Sequence, residues 1–368
     1  MTTVTIKPHT HLAEQVVKTC VEKCIPYAVQ FELTSKCNLS CKHCFMTDDD
    51  SAELSSEEIK GIIDQLVEMG TFFLAFTVGE IFTRDDLFDI VRYANDKGFF
   101  MTFMTNATLI RPEHINEIKK LKPVKFEISL YGATAKTHDH ITNVDGSFKR
   151  TVTAIEALIE SGIEVLIKTP LMNLNIKEAD EIAAFVEDLG AAHRMNPGIA
   201  PMQNGSLDPL QYDISNEDMK AYLIDHDFDL SYLLDMDPLN RFSCKAGKAA
   251  CCITPGGIVY PCVMMPIPVG DLHEKSFKEI WHLKPADELN RLRTLTSRDL
   301  TTCPTCDFTS YCVRCPGVVY LETGDLVGPS QSACRYALWR KEAAKSINQS
   351  NTDPHLKTRI SDDGLSAF

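Results

Sequence analysis

Residues 31–46 read FELTSKCNLSCKHCFM. A largely apolar run, Tyr27–Leu33, leads directly into Cys37, Cys41 and Cys44. The reading is a strand that ends in a loop carrying three thiols at the spacing Cys-x3-Cys-x2-Cys. Three thiolates on one loop can hold three irons of a cubane and leave the fourth iron open to a small ligand. A ferredoxin cluster needs a fourth cysteine and has x2-x2 spacing. A structural zinc site also takes four ligands.

Outward from this loop, strand-like and helix-like segments alternate. Candidate strands are Tyr27–Leu33, Phe72–Val78, Phe99–Thr105, Lys125–Leu130, Glu164–Pro170 and a weaker Ala192–Met195. Candidate helices are Ser55–Met69, Arg84–Lys97, Arg111–Leu121, Ser147–Ser161 and Ile176–Leu189. This alternation predicts a parallel sheet with right-handed crossovers. Six strands are too few to close an eight-stranded barrel. The expected fold is therefore α/β, an open, TIM-like partial (β/α)6 barrel with its functional groups at the C-terminal strand ends. Along the chain we expect an N-terminal helical segment (1–24), the barrel (25–200), a bridge with one short helix (201–240), a cysteine-rich module (241–345) and a disordered tail (346–368), which lacks apolar periodicity.

The chain has 368 residues, 44% apolar and 24% charged, enough to bury a full core. No run of ~18 apolar residues suggests a membrane span, and MTTVTIKPHTHLAEQ has no apolar stretch of signal-peptide length; the expected location is the cytoplasm. A formal net charge of −14 argues against a nucleic-acid partner. The 14 cysteines fall into three groups, Cys20–Cys44, Cys244–Cys262 and Cys303–Cys334, with none between Cys44 and Cys244. In a reducing compartment such grouping points to metal or catalysis. Cys20 and Cys24 stand one helical turn apart beside Leu12, Val16, Val17 and Val21, and read as core packing.

The segment CKAGKAACCITPGGIVYPC runs from Cys244 to Cys262. Pro255-Gly256-Gly257 is a turn between two short β-like runs, which predicts a hairpin. A two-residue loop sets Cys251 opposite Cys262; a three-residue loop sets Cys252 on Cys262's face. Register alone decides between them. Downstream, CPTCDFTSYCVRCPG carries Cys303, Cys306, Cys312 and Cys315, followed by Cys334. The spacing is a metal signal, for clusters or for a pair of zinc ribbons.

With these residues in view, the chain resembles the radical S-adenosylmethionine (SAM) superfamily over about residues 25–200. The family's Gly-Gly-Glu-Pro motif stands here as Val78-Gly79-Glu80-Ile81, its Thr-Asn-Gly as Thr105-Asn106, and its ribose-contacting serine as Ser129 in EISLYGAT. The resemblance implies SAM contacts from Gly79, Glu80, Asn106 and Ser129, with Gly79 letting the backbone approach the ligand and Glu80 near its amino group. It also implies a catalytic [4Fe–4S] cluster on Cys37, Cys41 and Cys44. Where relatives often have an arginine this chain has Thr142, and Lys168 is a weak candidate for the SAM carboxylate. Residues 241–338 resemble the SPASM extension, which carries two auxiliary [4Fe–4S] clusters. By position Cys244, Cys251, Cys262 and Cys315 would hold the first, and Cys303, Cys306, Cys312 and Cys334 the second. Cys252 is left over, or exchanges with Cys251.

The resemblance implies reductive cleavage of SAM to a 5′-deoxyadenosyl radical, which abstracts a hydrogen atom. SPASM relatives act mostly on peptides, so the expected activity is oxidative modification of a peptide or small protein, with a flavodoxin or ferredoxin as reductant. A leader peptide would need a separate binding protein or an internal surface. Val263 stands where sulfatase maturases carry an acid, which ranks that activity lower. The rival readings are a tetrapyrrole-tailoring enzyme of the same superfamily and a non-catalytic iron–sulfur electron carrier.

Overall fold

The structure, a computed structural model, describes residues 9–47, 52–121, 125–226 and 244–350. Helix α1 (His9–Lys23) precedes a run of strands and helices: β1 (Ala28–Glu32), α2 (Ser56–Glu68), β2 (Phe73–Thr77), α3 (Leu87–Asp96), β3 (Phe100–Thr105), α4 (Pro112–Leu121), β4 (Lys125–Ser129), α5 (Ala135–Thr142), α6 (Ser147–Glu160), β5 (Val165–Leu171), α7 (Ala179–Asp188) and β6 (Ala192–Pro197). Then come α8 (Asn216–Asp225), β7 (Ala250–Ile253), β8 (Ile258–Tyr260), β9 (Gly270–Asp271), α9 (Asp287–Thr294), α10 (Pro316–Thr323) and α11 (Gln331–Ser350).

The helices form where their local signals are consistent. In α2, Ser55 caps the N-terminus in a capping box with Glu58, and Ile59, Ile62, Ile63 and Leu66 bury one stripe at helical spacing. The strands lie in the order β6-β5-β4-β3-β2-β1-β7-β8-β9. From β6 to β1 they are parallel and adjacent in chain order, the expected open barrel. Paired residues share a face of the sheet. Val29, Phe31, Leu74, Phe76, Phe103, Phe126 and Ile167 therefore point outward into the main core beneath the helices. Each buried side chain of this size contributes about 1.5–3 kcal/mol, and the Phe103 and Phe126 rings stack at 4.9 Å. The opposite, inner face carries Gln30, Glu32, Ala75, Thr102, Glu127, Ser129, Lys168 and Arg194.

Three expectations are revised. The cysteine-rich module does not begin as a separate body: β7 pairs in parallel with β1, with Val29 opposite Cys251, so the hairpin extends the barrel sheet. Parallel pairing between segments so far apart in sequence leaves no local signal. Helix α5 has no counterpart in the sequence reading; it is short and polar, and stops at Asn143, whose φ of +58° is a left-handed cap. Helix α11 passes the expected tail boundary and continues to Ser350. Its packed residues Ala333, Ala337, Trp339 and Ala343 nucleate it, and propagation is cheap once a helix is nucleated. The rest of the tail (351–368), residues 1–8 and part of the bridge (227–243) lie outside the described residues. The described part of the bridge holds α8 and a 3₁₀ turn, Asp208–Tyr212. Trp339 on α11 donates to Asn216 Oδ1 at 2.6 Å, joining α11 to α8. Among the described residues no helix is long and apolar enough to cross a membrane.

Candidate functional site

The cysteine loop sits at the C-terminal ends of the parallel strands and is held there by backbone. Glu80 N donates to Lys36 O at 2.8 Å, Ser40 N to Thr142 O at 3.1 Å, and Lys42 N to Ile141 O at 3.0 Å. The turn after β2 and the end of α5 thus grip the loop from two sides. Half-buried Arg84 ties its entry, donating to Leu33 O at 2.8 Å and Leu54 O at 3.2 Å. Glu53 accepts from Thr34 Oγ1 at 2.7 Å and from Ser35 N at 3.1 Å.

Gly79 is tightly packed within the chain. A Cβ on it would lie 2.2 Å from Lys36 O and 2.8 Å from Lys36 C, and its φ is +43°. What approaches Gly79 closely is the cysteine loop itself, so the glycine is required by loop packing. Glu80 is likewise held within the chain. It is fully buried and accepts from Thr105 Oγ1 at 2.7 Å, Asn106 N at 2.8 Å and Phe82 N at 3.1 Å. It braces the ends of β2 and β3. Burial pushes its pKa up, and these donors offset that only in part. Val78 and Ala107, at the two places where the resemblance has glycine, keep φ of +70° and +62°. Left-handed backbone at non-glycine residues persists only where the surroundings impose it.

The three thiols are neighbours. Cys37 and Cys44 are exposed and Cys41 is half-buried. Burial pushes the Cys41 thiol up to about 12, and the charges of Cys44 and Cys37 add to the shift. Burial likewise raises Cys37, with Glu80 and Cys44 contributing. Asn106 Nδ2 lies 3.9 Å from Cys37 Sγ and donates to Asn38 Oδ1 at 3.0 Å. The Tyr131 hydroxyl hydrogen-bonds Cys41 and Ser129. His43 packs edge-on to Tyr131 at 4.8 Å, and burial pushes its pKa down to about 4, so it is neutral near pH 7. Tyr131 and His43 were not singled out from the sequence, although both sit within quoted motifs. Thr142 is buried and bonds Ser147 Oγ at 2.7 Å, so it does not replace the missing arginine. Lys168 is ion-paired with Glu127 at 2.5 Å.

The downstream cysteines form two sets. Cys303, Cys306, Cys312 and Cys334 line one cavity with Phe308, Thr309 and Arg314. Burial and the charges of Cys334 and Cys303 push Cys312 up to about 11. In the other set, burial and the charges of Cys315 and Cys244 push Cys262 up to about 12. The hairpin pairs Cys252 with Tyr260 and Ile253 with Val259, so its loop has the three-residue form. Cys252 therefore shares Cys262's face, while the charge of Cys262 reaches both Cys251 and Cys252. Cys251 points into the outer core, near Arg293. Cys252 hydrogen-bonds Glu32 on the inner face. Arg314 lies near Cys303, Cys312 and Cys315, hence between the two sets, anchored on Leu326 O at 2.6 Å. Among the described residues no three His, Cys, Asp or Glu side chains stand close enough to share a single metal ion. Thiols that perturb one another, gathered at a strand-end shelf and in a cavity, fit iron–sulfur clusters in donor chemistry.

The radical SAM superfamily profile matches residues 31–186, and an iron-sulfur cluster-binding domain profile, SPASM, matches 244–307. The chain is 31% identical to the mycofactocin maturase MftC of Mycobacterium tuberculosis (strain CDC 1551 / Oshkosh) over 279 residues, 70% of each chain. The chain belongs to the radical SAM superfamily. It is an enzyme of the radical SAM/SPASM class, and its cofactors are SAM and [4Fe–4S] clusters. It is also 28% identical to the AdoMet-dependent heme synthase of Methanosarcina barkeri over 331 residues, 82% of this chain and 94% of that protein. The fold is shared with Streptococcus suis SuiB bound to its precursor peptide SuiA, at a TM-score of 0.66 and 15% identity, over 90% of this chain and 82% of that one.

Proposed function

We propose that this radical SAM enzyme oxidatively modifies a peptide or small protein held over the inner face of the half barrel. The observation that carries the catalytic assignment is the convergence of Cys37, Cys41 and Cys44 with Asn106 and Ser129 at the strand ends, where Cys37 and Cys44 are exposed. A cluster on these three thiols, when bound, would supply the electron that cleaves SAM to the 5′-deoxyadenosyl radical. The chain's own residues orient and exclude. Asn106 and Tyr131 donate toward the cluster thiolates, His43 and Tyr131 wall the site, and Glu80 fixes the shelf from below. SAM would lie between Ser129 and the cysteine loop. The auxiliary sets read as Cys244, Cys252, Cys262 and Cys315, with Cys252 taking the place first given to Cys251, and Cys303, Cys306, Cys312 and Cys334. A flavodoxin or ferredoxin would supply electrons, and a leader peptide, if used, would be held by a separate protein.

The peptide reading is supported by the maturase relatives. A second reading, tetrapyrrole side-chain tailoring, is favoured by the alignment with the heme synthases, which spans 94% of the Methanosarcina protein. The test is an anaerobic assay of reconstituted enzyme with SAM and dithionite. Replacing Cys37, Cys41 and Cys44 together by Ala should abolish 5′-deoxyadenosine formation, and unchanged cleavage would remove the catalytic assignment. Mass spectrometry with candidate peptides and with haem precursors then separates the two substrate readings.

A further inference from the structure

Two residues of chain join the two downstream sets of thiols. Cys312 belongs to the cavity set and Cys315 to the hairpin set, with only Val313 and Arg314 between them. At about 3.3–3.6 Å per residue this link spans at most about 11 Å. The start of α10 presses its far end onto the hairpin: a Cβ on Gly317 would lie 2.4 Å from Met264 O, in the turn where Met265 N donates to Cys262 O at 2.8 Å. The side chain of Arg314 instead lines the cavity with Cys303, Cys306, Cys312 and Cys334. One guanidinium thus stands beside both sets.

Its place is fixed by backbone. Arg314 Nη2 donates to Leu326 O at 2.6 Å and to Gly328 O at 2.8 Å. Between these, Val327 O accepts from Thr301 N at 3.2 Å, two residues before Cys303. Burial pulls the Arg314 pKa down, and the charges of Cys303, Cys312, Asp325 and Cys315 push it back up; an arginine stays protonated. The Asp325 carboxylate is the opposing charge, with its Oδ1 accepting from Val327 N at 3.0 Å. Arg340, which donates to Tyr311 O at 3.2 Å, also reaches Cys312, and Glu322 reaches Cys334. One-electron reduction of a four-thiolate cubane adds a negative charge, and its potential follows the net charge around it. At an effective dielectric of about 20, a fixed cation within about 10 Å favours the reduced form at least about tenfold. We propose that Arg314 sets the reduction potentials of the auxiliary clusters, raising that of the cavity cluster most because it forms part of that cavity's wall. The proposal rests on the reading of the two sets as cluster ligands. Its electrostatic role needs the charge of Arg314, whereas a purely structural role would need only the hold on Leu326 and Gly328.

The experiment is a dithionite redox titration followed by electron paramagnetic resonance. It uses reconstituted full-length protein in which Cys37, Cys41 and Cys44 are replaced by Ala, so that only auxiliary clusters give signals. Iron and sulfide are measured beside it, and Cys312→Ala, which removes a cavity ligand, assigns the signals. Arg314→Gln should lower the midpoint of the cavity cluster by about tenfold in the one-electron equilibrium, about 59 mV, and that of the other cluster by less. Arg314→Lys, which keeps the charge without the guanidinium fork, should stay near the parent. Asp325→Asn, which removes the opposing charge and keeps an acceptor for Val327 N, should raise the midpoint. If Arg314→Gln leaves the midpoint where it is, or shifts it no more than Arg314→Lys does, Arg314 is an anchor and the proposal falls. If Arg314→Gln loses iron, Asp325→Asn decides, and an unchanged midpoint there overturns the proposal. Failure of the cluster reading would appear separately, as parent protein holding well under the about eight irons of two cubanes.

Discussion

The cysteines on the strand-end loop and those in the cavity around Cys312 are held by different means. The loop of Cys37, Cys41 and Cys44 is bound by backbone hydrogen bonds to the turn after β2 and to the end of α5, and rests on a core of parallel strands. Cys303, Cys306, Cys312 and Cys334 lie in short 3₁₀ turns and at the start of α11, around a cavity. The first site is built by the sheet. The second is a set of turns with little core of its own, so metal binding there is coupled to folding. Between the two lies the β7–β8 hairpin, whose cysteines belong by sequence to the downstream module and by hydrogen bonding to the barrel.

The largest expected effect breaks this comparison outright. Stripping iron from the holoprotein under anaerobic conditions should collapse hydrogen-exchange protection across 297–334 while β1–β5 keep theirs, with β7 following β1. Equal loss in both regions would mean that the sheet does not hold its loop unaided. Next in size, Gly79→Ala forces a Cβ to 2.2 Å from Lys36 O. The loop must shift, and 5′-deoxyadenosine formation should fall at least tenfold, by analogy with the cost of small displacements at reacting centres; the downstream cluster signals should stay unchanged by electron paramagnetic resonance.

Glu80→Gln is predicted to act through pH. The folded pKa of Glu80 is raised. Its contribution to stability is therefore greatest below the unfolded value of about 4.3 and is lost as pH rises through the folded pKa. The variant should flatten that decline in urea melts between acid and neutral pH. Glu80→Ala instead leaves Thr105, Phe82 N and Asn106 N without their acceptor and should cost about 1–3 kcal/mol per buried group. The smallest effect sharpens the comparison at the loop alone. Val78→Gly and Ala107→Gly relieve left-handed strain and should each raise stability by about 1 kcal/mol or less. Lower melting temperatures for both would show that side-chain packing at these positions outweighs backbone strain.

Much of this was legible in residue order. The strands from Tyr27 to Met195 emerged because apolar runs and helical stripes alternate at short range, and the Cys37–Cys44 loop because its ligand spacing lies within a few residues. The contacts of Gly79 and Glu80 within the chain were not legible, because motif position says that a residue matters without saying what it touches. Gly79 meets Lys36 and Glu80 meets Thr105 across chain separations that no local pattern encodes. Tyr131 became visible only when the strand ends brought it to Cys41.

By itself the sequence determined the chemistry available, namely three thiols on one loop, nine more in two downstream groups, and a parallel α/β sheet to carry them. These follow from residue type and short-range periodicity, which a linear string contains. The tertiary structure decided which cysteine of the Cys251–Cys252 pair shares Cys262's face and that the hairpin joins β1. Each of these depends on strand register, and a one-residue slip would turn every side chain to the other face. That register is fixed by the packed core as a whole, so it becomes readable only once the chain has folded.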